Sequence, residues 1–165
     1  MAGSFSRRLH QALFGSDIQR QEIYPAVDAA GTGVALGAAG NSPAWGAWVD
    51  VALPALITVE NLVRGFTIDT HSAACIATVD IGSTRSLGVL YANAAAVIAA
   101  GAPAIAGAHR AIFRAQLIAI AAGQGYVVML PSPVLINTGE GILARWQTAA
   151  GAETGNITIM AVLNS

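Results

Sequence analysis

The chain has 165 residues, enough for one domain that buries about 70% of the surface its unfolded form exposes. Only 10% of its residues are charged, against roughly 25% in an ordinary globular chain; every basic residue is arginine, and the formal net charge is −1. These features argue against a basic nucleic-acid footprint, and they exclude a lysine-dependent phosphate loop, Schiff-base chemistry and, with Cys75 the sole cysteine, any intrachain disulfide.

A surface so poor in charge stays soluble through Ser, Thr, Asn, Gln and backbone groups, or is hidden against neighbouring subunits. The second is the expectation. Cys75 sits among Ala73, Ala74 and Ile76, the setting of an inert buried thiol.

In chain order, residues 4–14 have a helical pattern. Ser4 can cap, and Phe5, Leu9, Ala12 and Leu13 fall on one side at i, i+4, i+7 and i+8, with Gly15 ending the helix. Residues 17–40 show no strong period, contain Pro25 and end in a Gly/Ala run, so they are expected to form an extended arm. The expected division is therefore a helix and arm over 1–42 and a β-sandwich over 43–165. Within the sandwich, residues 45–53 alternate in part, and 56–62 reads as a strand. With residues 63–70 extended, Leu62, Arg64, Phe66, Ile68 and Thr70 fall on one side.

Residues 73–81 set Cys75, Ala77, Val79 and Ile81 opposite Ile76 and Thr78, and Gly82-Ser83-Thr84 is expected to turn the chain. Residues 86–91 read as a further strand. Residues 86–108 lack charge but are mostly Ala and Gly, too weakly apolar for a membrane span. Within them, 93–106 reads as a loop with a helical turn, because Gly101 and Pro103 stop any longer helix. Residues 109–122 fit either period; β-branched content and the Gly123-Gln124-Gly125 turn favour a strand. Residues 126–136 read as a strand, a corner at Pro131 and Pro133, and a second short strand, since proline cannot donate within a sheet. Ile142, Ala144, Trp146 and Thr148 share one face, Leu143, Arg145 and Gln147 the other, and residues 149–155 are expected to close a hairpin onto 157–163. Short strands between Gly, Pro, Ser and Asn turns give an all-β fold, an antiparallel, jelly-roll-like sandwich.

Candidate chemistry is sparse. The glycine spacing of residues 31–37 is that of a dinucleotide loop, but Asn41-Ser42-Pro43 interrupts the helix such a loop requires. His10, His71 and His109 are isolated from one another and from Cys75, so no zinc set forms. Asp69-Thr70-His71-Ser72 holds acid, imidazole and hydroxyl, yet neighbouring residues of a strand point to alternate faces and cannot make a triad. Asp50, Glu60, Asp69, Asp80 and Glu140 offer no preferred pair for glycoside hydrolysis. Trp45, Trp48 and Tyr91 are candidates for stacking on a glycan, with core or interface anchoring as the plainer role. Arg145 projects away from Trp146, where a salt bridge to Glu140 or Glu153 of a neighbouring subunit is conceivable. No catalytic residue, cofactor or metal is assigned.

Residues 126–163 resemble the small structural proteins of tailed bacteriophages. The likeness rests on Met129-Leu130-Pro131, Val134-Leu135-Ile136, Thr138-Gly139-Glu140-Gly141, Ile142-Leu143-Ala144-Arg145-Trp146-Gln147 and the final apolar run. Trp48-Val49-Asp50-Val51 and Val79-Asp80-Ile81-Gly82 are similar to the same group. The alanine-rich stretch 92–108 and the N-terminal helix depart from its pattern. The resemblance implies a virion β-sandwich that forms rings or trimers on the capsid, neck or tail, and no catalytic residues. The expectation is thus a non-enzymatic virion subunit, made in the host cytoplasm, whose partners are copies of itself and major capsid, portal, neck or tail proteins, with neither nucleic acid nor membrane among them. Phe5, Arg7, Arg8, Leu9, Leu13, Phe14 and Arg145 are its candidate attachment residues. The alternative is a carbohydrate- or receptor-binding module of a tail fibre or head spike, using Trp45, Trp48 and Tyr91.

Overall fold

The computed structural model describes residues 21–24, 33–70, 72–86, 88–100, 109–116, 119 and 121–163. Eleven strands are described, β1 (Gln21–Tyr24), β2 (Val34–Ala35), β3 (Gly40–Asn41), β4 (Val49–Ala52), β5 (Asn61–Thr70), β6 (Ala77–Ser86), β7 (Val89–Leu90), β8 (His109–Gln116), β9 (Gly125–Ile136), β10 (Ile142–Thr148) and β11 (Gly155–Leu163). A 3-10 turn occupies Pro54–Leu56, and one helix, α1, occupies Ala94–Ala99.

The strands form two sheets. Sheet A runs β1-β11-β5-β9, with β2 continuing the edge along β11; sheet B has β4 and β3 on one side of β10, then β6, with β8 and β7 on its far side. Taking the long strands in chain order, each sheet interleaves early and late elements, the arrangement of two Greek keys wound into a jelly roll. The all-β sandwich expected from the pattern is therefore the observed fold. The expected hairpin between residues 142–148 and 157–163 is not. β10 pairs with β6 and β4, whereas β11 pairs with β5, β1 and β2, so residues 149–154 cross from one sheet to the other. Both strands alternate with the same apolar phase because both face one core from opposite sides.

That core joins Val63, Phe66, Ile68, Ile136, Ile157, Ile159 and Ala161 of sheet A to Val51, Ala77, Val79, Ile81, Ile112, Ile142, Ala144 and Trp146 of sheet B. The Phe66 and Phe113 rings meet across it with centroids 6.0 Å apart. Trp146 is fully buried, and its indole N–H donates to the Gly37 carbonyl at 3.1 Å. This satisfies the one polar atom of the largest core side chain.

Two bulges explain where simple alternation fails. On β5, Gly65 pairs with Met160 and Val63 with Ala161, so Arg64 is the extra residue of a bulge. It turns outward, and Val63 faces the core with Phe66 and Ile68, contrary to the expected grouping of Arg64 with Phe66. On β8, Ile81 pairs with Phe113 and Gly82 with Ala111, which turns Ile112 inward as well. The turn expected at Gly82-Ser83-Thr84 is instead the middle of β6. Ser83 and Thr84 are buried, and the Thr84 hydroxyl accepts the Gly141 N–H at 2.8 Å, so the polar side chains are used inside the sheet. Nor is 56–62 a strand throughout. Leu56 belongs to the 3-10 turn, and Ile57 buries its side chain while its carbonyl accepts from Gly139 at 2.9 Å.

Sheet strands begin ahead of the expected boundary at residue 43. β1 lies along β11, β2 follows it, and Leu36 is 1% exposed within the core. Backbone bonds from Leu36 to Gly155, Ala39 to Glu153 and Ser42 to Thr148 fasten the Gly/Ala run to the crossing between the sheets. The expected helix, with Phe5, Arg7, Arg8, Leu9, Leu13 and Phe14, lies outside the described residues.

Candidate functional site

The outer face of sheet B carries a compact group of charged and aromatic side chains. It begins with register. Asp80 of β6 stands directly opposite Arg145 of β10 on one side and Arg114 of β8 on the other. Outward-facing opposite charges on three adjacent strands make a cross-strand ladder. The Asp80 Oδ2 accepts from Arg145 Nε at 3.1 Å, from Arg145 Nη2 at 2.9 Å and from Arg114 Nη2 at 3.2 Å. Asp80 is 1% exposed, and its Oδ1 is buried with no hydrogen-bond partner among the described residues.

Aromatic rings enclose the two guanidinium groups. Arg145 lies 4.7 Å from the Trp45 ring centroid and 4.4 Å from that of Trp48, and Arg114 lies 5.0 Å from Trp45. Each is within the range of cation–π attraction. Arg145 is largely covered, whereas the Arg114 side chain is 61% exposed. Beside them, Trp48, Leu143, Ala94 and Val97 form a second small core with Tyr91 packed against it. α1 is held over this patch at its start: the Asp50 carboxylate accepts the Ala94 N–H at 2.7 Å, and the capping Asn93 side chain accepts the Ala96 N–H at 2.8 Å.

The structure therefore brings Trp45, Trp48, Tyr91 and Arg145 into one neighbourhood. Trp48 is buried and stacked by Arg145, Tyr91 packs into the small core, and Trp45 is half-buried beside both arginines. Arg145 binds Asp80 of its own chain. Its two suggested partners are engaged elsewhere: Glu140 accepts from the Asn137 side chain at 2.9 Å and lies 3.8 Å from Arg85, and Glu153 accepts the Thr148 hydroxyl. Ser72, from the acid–imidazole–hydroxyl run, accepts the Thr154 N–H at 2.9 Å and so fastens one loop to another. Residues 33–35 lead into β2 and an irregular stretch, not the helix a dinucleotide loop needs.

Chemically, the arrangement holds charge in place. Asp80 neutralises one buried guanidinium and orients a second that reaches solvent. Among the described residues, no group of three or more His, Cys, Asp or Glu is placed to hold a metal ion, and no helix is long and apolar enough to cross a membrane. Sequence reading marked Arg145 as outward-facing but did not connect it with Asp80 or Arg114. The usable signal was the odd charge in each alternating strand, and only strand pairing could join them.

No family model matches the chain, and no curated protein matches it. Comparison with solved structures finds similarity to a chain in the structure of infectious bursal disease virus, Gx strain, at 13% identity and a TM-score of 0.30, covering 89% of this chain and 29% of that one.

Proposed function

We propose that this chain is a non-enzymatic structural subunit of a virion, a jelly roll that assembles with copies of itself and is attached to other virion proteins through its N-terminal segment. The observation that carries the reading is exposed apolar surface on a chain with little charge. Leu53, Leu56 and Val59 are 44%, 53% and 45% exposed on the connection from β4 to β5. Val89, Leu90 and Ile98 are 52%, 43% and 48% exposed near α1, and Val127 and Met129 are 58% and 60% exposed on β9. Large apolar side chains exposed close together, as along the connection from β4 to β5, support a reading in which a partner covers that surface. The jelly roll supports the reading without deciding it, since capsid, lectin and cupin domains all use this fold. Placement in a tailed phage, as a capsid decoration or a neck or tail accessory, rests on the resemblance of residues 126–163, as does a trimeric ring. The glycan-binding alternative draws no support from the buried Trp48. Light scattering on the purified chain should show a discrete oligomer, and imaging of intact particles should locate it on the virion. A dispersed monomer that is absent from purified particles would overturn the proposal.

A further inference from the structure

The charge ladder on sheet B reaches an edge with its charges unbalanced. Arg145, Asp80 and Arg114 follow one another across β10, β6 and β8, two cations to one anion. Among the described residues β8 pairs with β6 alone, so Arg114, its side chain 61% exposed, ends the row. The next position of an alternating ladder calls for a carboxylate. β8 is eight residues long and contains no proline to spoil further pairing. Its inward side chains Phe113 and Ala115 are only partly buried against the core. A strand that continued the sheet would therefore set an acid opposite Arg114 and apolar residues on either side of that acid.

The other edge of the same sheet has that pattern. β4 reads Val49-Asp50-Val51-Ala52 and, among the described residues, pairs with β10 alone. Val49 and Val51 pack on the core, whereas Asp50 stands beside Leu143 on the outer face. One oxygen of the Asp50 carboxylate accepts the Ala94 N–H and is held by it, which leaves the second oxygen for a further donor.

We propose that β8 of one copy pairs antiparallel with β4 of a second copy, with Arg114 opposite the second copy's Asp50. This rests on the reading that the chain assembles with copies of itself, and it names the edges that meet. Strand direction agrees. β4, β10, β6 and β8 alternate, so a second copy carried past β8 without being turned over presents β4 antiparallel to it. Opposed residues of antiparallel strands point to one face, so Asp50 and Arg114 meet on the outside. The row then reads Arg145–Asp80–Arg114–Asp50, with its charges balanced. Charge also selects the pair. β8 against β8 would gather His109, Arg110 and Arg114 of two copies, and β4 against β4 would oppose two Asp50 residues, whereas β8 against β4 joins opposite signs. Leu53 and Leu56, 44% and 53% exposed just beyond β4, add apolar surface to the contact. Such a contact is head-to-tail, and it closes into a ring when the rotation per copy divides a full turn.

Disulfide trapping in the full chain carrying Cys75→Ala tests the pairing. Opposed residues have Cα atoms about 4.5–5.5 Å apart, within disulfide reach. Asp50→Cys and Arg114→Cys, made separately and mixed under mild oxidation, should give a crosslinked dimer and nothing larger. With both cysteines in one chain a series of longer oligomers should form, and each single variant alone should stay uncrosslinked. The absence of a dimer from the mixture overturns the proposal. So does a dimer from Arg114→Cys alone, which two-fold pairing of β8 would give. Two milder variants guard against loss of the fold: Arg114→Gln, and Asp50→Asn, which keeps an acceptor for Ala94. Each should weaken self-association in sedimentation by about tenfold, and the two together by little more than either. Unchanged association, or fully additive losses, also overturns the pairing. A chain that oligomerises without these crosslinks leaves the virion reading standing, whereas crosslinked copies missing from purified particles overturn the virion reading alone.

Discussion

Replacing Asp80 with leucine tests whether the Arg114–Asp80–Arg145 ladder is a single buried unit. The substitution leaves the Arg145 side chain, 17% exposed, between two tryptophans with no countercharge. Removing one partner of a buried ion pair costs about 3–5 kcal/mol, and the residual solvent access of Arg145 reduces the expectation to about 2–4 kcal/mol. Arg114 is different, because its side chain is 61% exposed and its pairing is screened by water. Arg114→Ala should cost no more than about 1 kcal/mol. Urea unfolding followed by tryptophan fluorescence separates the two. With a slope of about 1–3 kcal/mol per molar, Asp80→Leu should lower the midpoint by roughly 1–2 M, and Arg114→Ala by a few tenths. Asp80→Leu/Arg145→Met should recover most of the loss, since it removes the stranded charge. Equal shifts for Asp80→Leu and Arg114→Ala, or a double variant as unstable as the two single changes added together, would refute the idea of a buried unit.

Burial, and secondarily the negative charge of Glu153, push the Cys75 thiol above its usual range. The folded chain thus favours the neutral thiol, and stability from this site is complete below the unfolded thiol's pKa and is lost as pH rises through the higher folded value. Urea midpoints measured across an alkaline pH series should fall less steeply in Cys75→Ala, and Glu153→Gln should speed alkylation of Cys75 at a fixed alkaline pH. Ala152 holds a left-handed backbone with φ of 63°. Ala152→Gly should relieve about 0.5–1 kcal/mol of strain and raise the melting temperature by about 2–4 °C; a lower melting temperature would count against the strain. At Gly141 a side-chain carbon would lie 2.7 Å from the Ala52 carbonyl oxygen and 2.8 Å from the Pro54 Cδ. Gly141→Ala should therefore destabilise by about 1–3 kcal/mol, readable as a drop of about 5 °C in a thermal melt.

What could be read from the sequence was what depends on neighbours along the chain. The two faces of residues 142–148 followed from strict alternation, and the inward set Cys75, Ala77, Val79 and Ile81 did as well. A helical turn within 93–106 and a strand beginning at His109 matched local propensity. What failed depends on partners distant in sequence. β10 and β11 look like a hairpin because nothing local reveals that each pairs with a strand far away. The bulge at Arg64 breaks the expected grouping of Arg64 with Phe66, and a bulge shows only when two registers are compared. Two-residue strands such as β2 and β3 are too short to show a period, so the Gly/Ala run looked unstructured although Leu36 is in the core. The same limit applies to the site. Asp80 and Arg145 were each visible as single charges, but the ladder that joins them to Arg114 exists only in the strand register.

The proline corner on β9 constrains how this edge of sheet A can pair. Among the described residues β9 pairs with β5 alone, and opposite Arg64 it carries residues 130–133, with Pro131 and Pro133 among them, between the paired residues Met129 and Val134. An unbroken free strand would offer a second molecule a continuous row of donors and acceptors and could grow without limit into a fibre. The two prolines remove donors from that row, and the extra residues spoil its spacing. Pairing of one molecule's β9 with another's is therefore disfavoured, and with it open-ended growth through that edge.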